Sequence, residues 1–234
     1  MKPLVVGNSH TGCIWRTIDT LKVKPFRSTT MFSGLLEEQP FSAVEEGRVA
    51  PTVDLTRERL EGLIDEAHFS ADYHWAFVLG THFIPFLRHD FWAGCSIEGV
   101  GEGRPVSRAA VGAAAVGYTA PVLRFFRQLK ACDVSFSVVS APPPRRDRWE
   151  KSPLGVERAL TIFTAAKTAF MADVAEMGAP IVEPPPEAVN GQGLLKEEYW
   201  SRAPKDFTHG NMKYGALMVA RLRDHFDELG LATP

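Results

Sequence analysis

The sequence has few cysteines, nearly balanced charge and no long apolar run, and each of these absences excludes a class of protein. Its three cysteines, Cys13, Cys95 and Cys132, are scattered and odd in number, which argues against a disulfide framework and supplies no zinc-binding spacing. Lysine and arginine number 26 against 28 aspartates and glutamates, so no basic surface for nucleic acid or anionic lipid is predicted. No stretch approaches the ~18 apolar residues of a membrane span, and the amino-terminal apolar segment is too brief for a signal peptide. We therefore expect a cytoplasmic protein with neither nucleic acid nor membrane as its partner.

The composition that remains suits one globular domain. Hydrophobic residues make up 45% of the 234 residues and charged residues 23%, which is enough apolar material for a continuous core. No internal repeat, low-complexity segment or long linker interrupts the chain. We expect a single domain over residues 1–234, and the sequence leaves its oligomeric state open.

Short apolar segments alternate with segments of helical periodicity. The strands predicted in this way are residues 4–6, 27–32 (at an edge), 75–80, 134–139 and 181–183. The predicted helices are residues 11–21, 56–67 with Thr56 as cap, 107–131 with a break or kink at Pro121, 155–178, and a last helix from about residue 211. This alternation predicts a three-layer α/β/α fold with a five-stranded parallel sheet.

Two segments show no regular period. Residues 35–55 contain two prolines and several acids, and we expect a surface excursion there. Residues 83–105 hold four aromatic residues and then a glycine-rich stretch, which predicts a flexible loop with an aromatic wall. The glycines follow no predicted strand and lack a Gly-Lys-Ser/Thr sequence, so they do not predict a phosphate loop. The spacing of His82 and His89 fits no common metal site.

A local cluster of arginines, Arg145, Arg146 and Arg148, follows the proline run after the fourth predicted strand. Two interpretations are open: a solvated loop, which is the commoner role of such clusters, and a clamp for an anionic substrate.

The first chemically suggestive stretch is Gly7-Asn8-Ser9, directly after the first apolar strand. Gly7 permits a tight turn. Ser9 then lies between a strand and a helix, where backbone N–H groups point outward and can stabilise an oxyanion. Serine is also a common helix cap, so the turn by itself does not establish a nucleophile.

The second stretch is Asp206-Phe207-Thr208-His209, ahead of the last helix. The spacing of three allows the carboxylate to accept a hydrogen bond from one imidazole nitrogen while the other nitrogen faces outward, which is the pair that a serine hydroxyl requires. The alternative is that Asp206 or Thr208 caps the helix and His209 is an exposed first-turn residue.

Taken together, the two stretches resemble the first and last conserved blocks of the SGNH (GDSL-type) hydrolases, with Asn8 where aspartate is usual. The resemblance covers essentially the whole chain and implies the flavodoxin-like strand order 2-1-3-4-5. It also implies an oxyanion hole of the Ser9 N–H, the Gly34 N–H and a third-block side chain. This sequence has His82 where the family has asparagine, so His82 is either a substitute donor or a loop residue without a catalytic role.

The resulting expectation is a serine esterase that needs no cofactor or metal. Ser9 is the expected nucleophile, His209 the general base and Asp206 its orienting group. The resemblance implies an O-acyl or O-acetyl ester of a small or carbohydrate-like substrate. Two alternatives stay open: a non-catalytic binding or accessory protein on this fold, and an O-acyltransferase that uses the same three residues.

Overall fold

The computed structural model describes residues 1–32, 40–88 and 90–231. Its strands are β1 (Lys2–Gly7), β2 (Arg27–Thr30), β3 (Ser42–Glu45), β4 (Arg48–Pro51), β5 (Tyr73–Val78), β6 (Cys95–Ile97), β7 (Arg104–Val106), β8 (Phe136–Val139) and β9 (Ile181–Val182). Its α-helices are α1 (Gly12–Asp19), α2 (Asp54–Ile64), α3 (Ile84–Leu87), α4 (Arg108–Tyr118), α5 (Ala120–Ala131), α6 (Arg146–Trp149), α7 (Val156–Glu176) and α8 (Met212–Glu228).

Five of the strands form one parallel sheet in the order β2-β1-β5-β8-β9. Counted along the chain, this is the expected order 2-1-3-4-5, with β2 at an edge as predicted. Because all five strands run the same way, the turns that follow them lie together at the carboxyl ends of the strands, here called the carboxyl edge of the sheet. That edge carries both stretches that the sequence marks as chemically suggestive.

Helices cover both faces of the sheet, which confirms the three-layer architecture. On one face, the buried residues of α1 and α8 pack against inward-facing positions of the strands, such as Val5 and Val78. On the other face, α2, α4, α5 and α7 pack against the alternate positions, such as Val6 and Phe77. Successive side chains of a strand point to opposite faces, so each apolar strand supplies two cores at once.

Two glycines at the carboxyl edge allow the strands to turn there. A Cβ on Gly7 would lie 2.4 Å from the Val78 carbonyl oxygen of the neighbouring strand. Gly80, after β5, has φ of +81° and would bring a Cβ to 2.3 Å from the Phe170 ring. A side chain at Gly7 would push against the backbone of β5, and one at Gly80 would be strained by the positive φ and would clash with the Phe170 ring.

The expected surface excursion at residues 35–55 is wrong for the part that the structure describes. Strands β3 and β4 form an antiparallel hairpin, whose turn places Glu46 and Gly47 at positive φ, as tight hairpin turns require. Phe41 and Val49 are buried against the core. Neither strand has a regular alternation of buried and exposed residues, so no period marks the hairpin in the sequence.

The expected aromatic wall at residues 83–105 is also wrong. Phe83, Phe86 and Trp92 are buried in the core, and only Phe91 is exposed. The glycine-rich stretch links the short paired strands β6 and β7.

The boundaries of the predicted helices agree with the structure within two residues except at α2, and the one-turn helices α3 and α6 were not predicted. Helix α2 begins at Asp54, with Val53 at the N-cap, and Thr56 is a buried residue of its first turn. The predicted break near Pro121 is confirmed, because α4 and α5 meet at an angle of 66°. Within the described residues no single helix is both long and apolar enough to cross a membrane, and α4 and α5 meet that test only as a bent pair.

Candidate active site

Ser9 follows β1 at the carboxyl edge of the sheet and begins a short 3-10 helix that leads into α1. The cap of that turn is Asn8, whose side-chain oxygen accepts a hydrogen bond from the His10 N–H at 3.0 Å. The alternative that Ser9 is the helix cap is therefore wrong. Its hydroxyl remains available for another partner.

Helix α8 is capped in the same way, by Asn211. Asn211 accepts hydrogen bonds from the N–H groups of Lys213 and Tyr214. The alternative in which Asp206 or Thr208 caps the last helix is wrong as well. Asn8 and Asn211 therefore take the capping roles that the alternative interpretation gave to Ser9 and Asp206.

Ser9, His209 and Asp206 form a hydrogen-bonded row across 200 residues of sequence. His209 Nε2 lies 2.8 Å from Ser9 Oγ, and His209 Nδ1 lies 2.9 Å from Asp206 Oδ1. With the proton on Nδ1, the ring donates to the carboxylate and presents the lone pair of Nε2 to the serine hydroxyl. This is the arrangement in which an imidazole can remove a serine proton.

The carboxylate of Asp206 is held in its ionised form. Burial alone would raise its pKa, but hydrogen bonds from the Ser201 hydroxyl, the Thr208 and His209 N–H groups and the His209 ring outweigh burial and hold this pKa well below its usual range. The two N–H groups and the ring all donate to Oδ1 at 2.9 to 3.1 Å. Asp206 is thus a charged acceptor of fixed position throughout the ordinary pH range.

Of the three expected oxyanion donors, the structure places two. Ser9 lies at the turn just described, and Gly34 lies outside the described residues. Met31 and Phe32 precede Gly34 closely in the chain, and both donate their N–H groups to the Gly7 carbonyl, at 2.9 and 3.0 Å. The chain therefore leaves β2 immediately beside the Ser9 turn.

His82 follows Gly80 and Thr81 at the carboxyl end of β5. The hydroxyl of Thr81 accepts a hydrogen bond from the Ala141 N–H at 2.7 Å, which fixes this turn to the chain that leaves β8. Burial, together with nearby His209, lowers the pKa of His82 to about 4, so its ring is neutral at pH 7. Its Nε2 is buried and has no hydrogen-bond partner.

His10 lies between His82 and His209, and the sequence did not identify it as a residue of the site. Its ring centroid lies 4.1 Å from that of His82 and 4.6 Å from that of His209. It is 2% exposed, and neither ring nitrogen has a partner. Burial, with His82 and His209 beside it, lowers its pKa well below the ordinary value. Its position next to Ser9 was the one feature of the sequence that could have pointed to His10. That its side chain is buried beside His209 shows only in the structure.

Arg145 is the second residue whose place the sequence did not reveal. The solvated-loop interpretation is wrong for it, because only 5% of Arg145 is exposed. Its Nη1 donates to the backbone carbonyls of Ser201, at 3.2 Å, and Asp206, at 2.7 Å. Its Nε and Nη2 donate to the carboxylate of Asp147, and its guanidinium lies over the Trp200 ring at 4.6 Å. A buried cation thus fixes the loop that carries Asp206.

A surface cleft of about 430 Å³ lies against this row of residues. Its lining includes Ser9, Arg16, Ser201, Asp206 and His209. Nowhere in the described ranges do three or more His, Cys, Asp or Glu side chains form a group that could hold a metal ion.

Solved structures match this chain over nearly its whole length. A protein proposed to be an acylhydrolase, from Bacteroides fragilis, has a TM-score of 0.54 at 12% identity over 97% of this chain and 87% of its own. A GDSL-like lipase from Bacteroides thetaiotaomicron has 0.52 at 14% identity over 97% and 88%. A protein proposed to be an SGNH hydrolase, from Slackia heliotrinireducens, has 0.52 at 16% identity over 96% and 97%.

These similarities, at low identity, confirm that the chain has the three-layer fold of the SGNH (GDSL-type) hydrolases. No protein-family model and no curated protein matches the sequence. Fold alone does not determine chemistry, so the function has to be argued from the site.

Proposed function

We propose that this chain is a serine esterase that hydrolyses an O-acyl or O-acetyl ester of a small or carbohydrate-like substrate, acting as one SGNH-hydrolase-like domain over residues 1–234. The observation that carries the proposal is the row from Ser9 Oγ through His209 to Asp206, with contacts of 2.8 and 2.9 Å. The ester-acting relatives of this fold, the GDSL-like lipase among them, support the choice of an ester as substrate.

In the first half-reaction, Ser9 Oγ attacks the ester carbonyl carbon while its proton passes to His209 Nε2. The tetrahedral intermediate carries the negative charge on the former carbonyl oxygen. When it collapses, the bond to the leaving alkoxide breaks, and His209 returns the proton to that oxygen. The alcohol departs and an acyl-serine remains.

In the second half-reaction, water takes the place of the alcohol. His209 removes a proton from the water as it attacks the acyl-serine, and then protonates Ser9 Oγ as the acid leaves. Asp206 stays ionised throughout, and it stabilises the imidazolium that forms twice in each cycle.

The proposed oxyanion donors are the N–H groups of Ser9 and Gly34 and the ring of His82. Support for His82 comes from its buried and unpartnered Nε2, since a buried polar atom without a partner costs free energy unless something else binds it. A neutral imidazole with its proton on Nε2 donates as the amide of asparagine does. Its low pKa keeps the ring in this neutral form at pH 7.

Arg145 is proposed as a positioning residue. It donates to the carbonyl of Asp206 and does not contact Ser9 or His209 through any described hydrogen bond. Its effect on the reaction would pass through the position of the Asp206 carboxylate.

Turnover of acetate esters tests the proposal. Wild type should release 4-nitrophenol from 4-nitrophenyl acetate with a rapid first turnover, and Ser9→Ala should show neither the rapid phase nor steady turnover. Added sugar acceptors distinguish hydrolysis from transfer: acetylated sugar in place of acetate would indicate an acyltransferase. Absence of turnover with acetylated sugars and simple esters alike would favour a binding protein.

A further inference from the structure

A second cavity, of about 650 Å³, adjoins the loop that carries Asp206. Phe207, the residue after Asp206, forms part of its wall, with Trp149 as a second aromatic residue. Arg88 and Arg148 both line it. Its volume is in the range of small-molecule sites. The cavity is therefore large enough for a substrate group and lies next to the catalytic loop.

The three arginines that the sequence grouped together have three different environments. Arg145 is buried and bound to Asp147 and the Asp206 loop. Arg146 is exposed and does not line the cavity; it reaches Gln192 and also Glu150, which does line it. Of the three, only Arg148 lines the cavity, and its guanidinium lies 5.5 Å from the centre of the Trp149 ring.

Arg148 forms no ion pair with a carboxylate of the described residues, although Asp147 precedes it. Asp147 Oδ1 and Oδ2 accept hydrogen bonds from Arg145 at 3.1 and 2.7 Å, so both oxygens are already engaged. Within the described parts of the chain, no ion pair joins either Arg148 or Arg88 to a carboxylate. Burial, followed by the nearby charge of Arg88, lowers the pKa of Arg148, and the Asp147 carboxylate offsets this only in part. Two like charges therefore face one cavity.

The other charges of the wall do not cancel this pair. Asp147 pairs with Arg145 at 2.7 Å and Glu150 faces Arg146 at 3.8 Å, and neither of these two arginines lines the cavity. Asp90 and Lys151 also line the cavity and have opposite charges. Once these opposite charges are balanced, the positive charges of Arg88 and Arg148 remain on the cavity wall. Guanidinium groups that lack a protein partner are suited to bind carboxylate or phosphate, because their N–H groups match two oxygens of such an anion.

We propose that this cavity is a subsite for an oxyanion group, a carboxylate or a phosphate, that the ester substrate carries. The anion lies between Arg88 and Arg148, and Trp149 and Phe207 contact the carbon skeleton that joins it to the ester. This inference rests on the proposed esterase function and narrows its substrate class to acidic esters.

Anion binding tests the subsite without any need for turnover. Succinate and inorganic phosphate are titrated separately into the full-length protein at constant ionic strength, with heat as the signal. We expect saturable binding of at least one of the two, weakened about tenfold or more in Arg88→Gln and in Arg148→Gln. Arg146→Gln removes the same charge two residues from Arg148 but outside the cavity. It should bind within about twofold of wild type, because the Arg146–Glu150 pair that it breaks is about half-exposed and screened by solvent. Binding of neither anion, or an equal loss in Arg146→Gln, would overturn the subsite.

Paired substrates then separate the subsite from the esterase. The 4-nitrophenyl esters of succinate and butyrate have acyl chains of equal length and differ in a terminal carboxylate or methyl group. The ratio of their kcat/KM values should fall about tenfold or more in Arg148→Gln and stay constant in Arg146→Gln. Hydrolysis of both esters at a ratio that Arg88→Gln and Arg148→Gln do not change refutes the subsite and leaves the esterase. Anion binding without hydrolysis of either ester refutes the esterase and leaves an anion site.

Discussion

The Arg145 guanidinium donates a hydrogen bond of 2.7 Å to the backbone carbonyl of Asp206, so a buried cation after β8 holds the loop that orients His209. Lysine at this position keeps the charge but lacks the planar fork that binds Asp147 and the carbonyls together. In Arg145→Lys we expect kcat to fall about 10- to 100-fold with little change in KM, because a small displacement of Asp206 misaligns the base.

The matched control for this prediction is Arg146→Lys, one residue away and exposed, which should leave both constants unchanged. Urea unfolding of the same proteins tells positioning from a purely structural role. If Arg145→Lys loses stability while the folded fraction keeps its wild-type kcat, Arg145 supports the fold and does not position the site.

Replacement of Asp206 by asparagine should be far more damaging than a surface change. The amide cannot accept from Nδ1–H as a carboxylate does and favours the wrong tautomer of His209; in a serine protease this change costs ~10⁴ in kcat. The steady-state rate of 4-nitrophenyl acetate hydrolysis by wild type and variant checks it. Asp19→Asn, at an exposed site, is the control. A much smaller loss would indicate a Ser-His pair, and no loss would exclude Asp206 from the reaction.

His82 is expected to contribute as one oxyanion donor. His82→Ala should lower kcat by roughly 10² to 10³, and His82→Asn should recover much of that loss because asparagine supplies a donor on a shorter side chain. Steady-state kinetics of the two variants decide it. Unchanged turnover in His82→Ala would mean that His82 is not a donor, whereas turnover that arises only in His82→Asn would mark a protein that has given up hydrolysis.

Buried histidines should make the fold sensitive to acid. Burial lowers the pKa of His74 to about 4, as it does for His82, while in the unfolded chain each titrates near 6.5. The unfolded state therefore binds more protons below pH 6.5, and stability that is complete above that pH is lost as pH falls toward 4. At pH 5 each of the two histidines should reduce the free energy of unfolding by about 2 kcal/mol.

Urea denaturation at pH 7.5 and pH 5 measures this loss. His74 lies between Ser135 and Ser137, with both ring nitrogens 2.7 Å from a serine oxygen, and it is remote from Ser9 in the sheet. In His74→Asn the drop in stability between the two pH values should shrink by about 2 kcal/mol, whatever the stability at pH 7.5. An equal drop in wild type and variant would show that His74 is not the source.

The sequence predicted the sheet well because its signals are local. Apolar runs that end in glycine, such as the one before Gly80, identify buried parallel strands by composition alone. The resemblance supplied the strand order. The antiparallel pair β3 and β4 was missed because neither strand has a regular alternation of buried and exposed residues. The burial of this segment depends on a helix distant in the sequence: Phe41, just before β3, packs against Phe125 of α5 with ring centroids 5.2 Å apart.

The site was predicted in part, for a related reason. Ser9 and His209 are each marked by a local motif, whereas the capping by Asn8 and Asn211 shows only in three dimensions. Arg145 looked like its neighbour Arg146, because no local pattern tells a buried cation from a solvated one. What distinguishes Arg145 is its hydrogen bonds to the carbonyls of Ser201 and Asp206, which lie more than 50 residues away in the chain.

Labelling with a fluorophosphonate tests the central claim, that Ser9 is an activated nucleophile, and it needs no knowledge of the substrate. Folded wild-type protein is treated with the probe, digested and analysed by mass spectrometry, alongside His209→Ala and urea-unfolded protein. The account predicts one adduct, on Ser9, formed rapidly in wild type and much more slowly in His209→Ala and in the unfolded chain. A folded protein without an adduct on Ser9, or one labelled equally fast without His209, would contradict it.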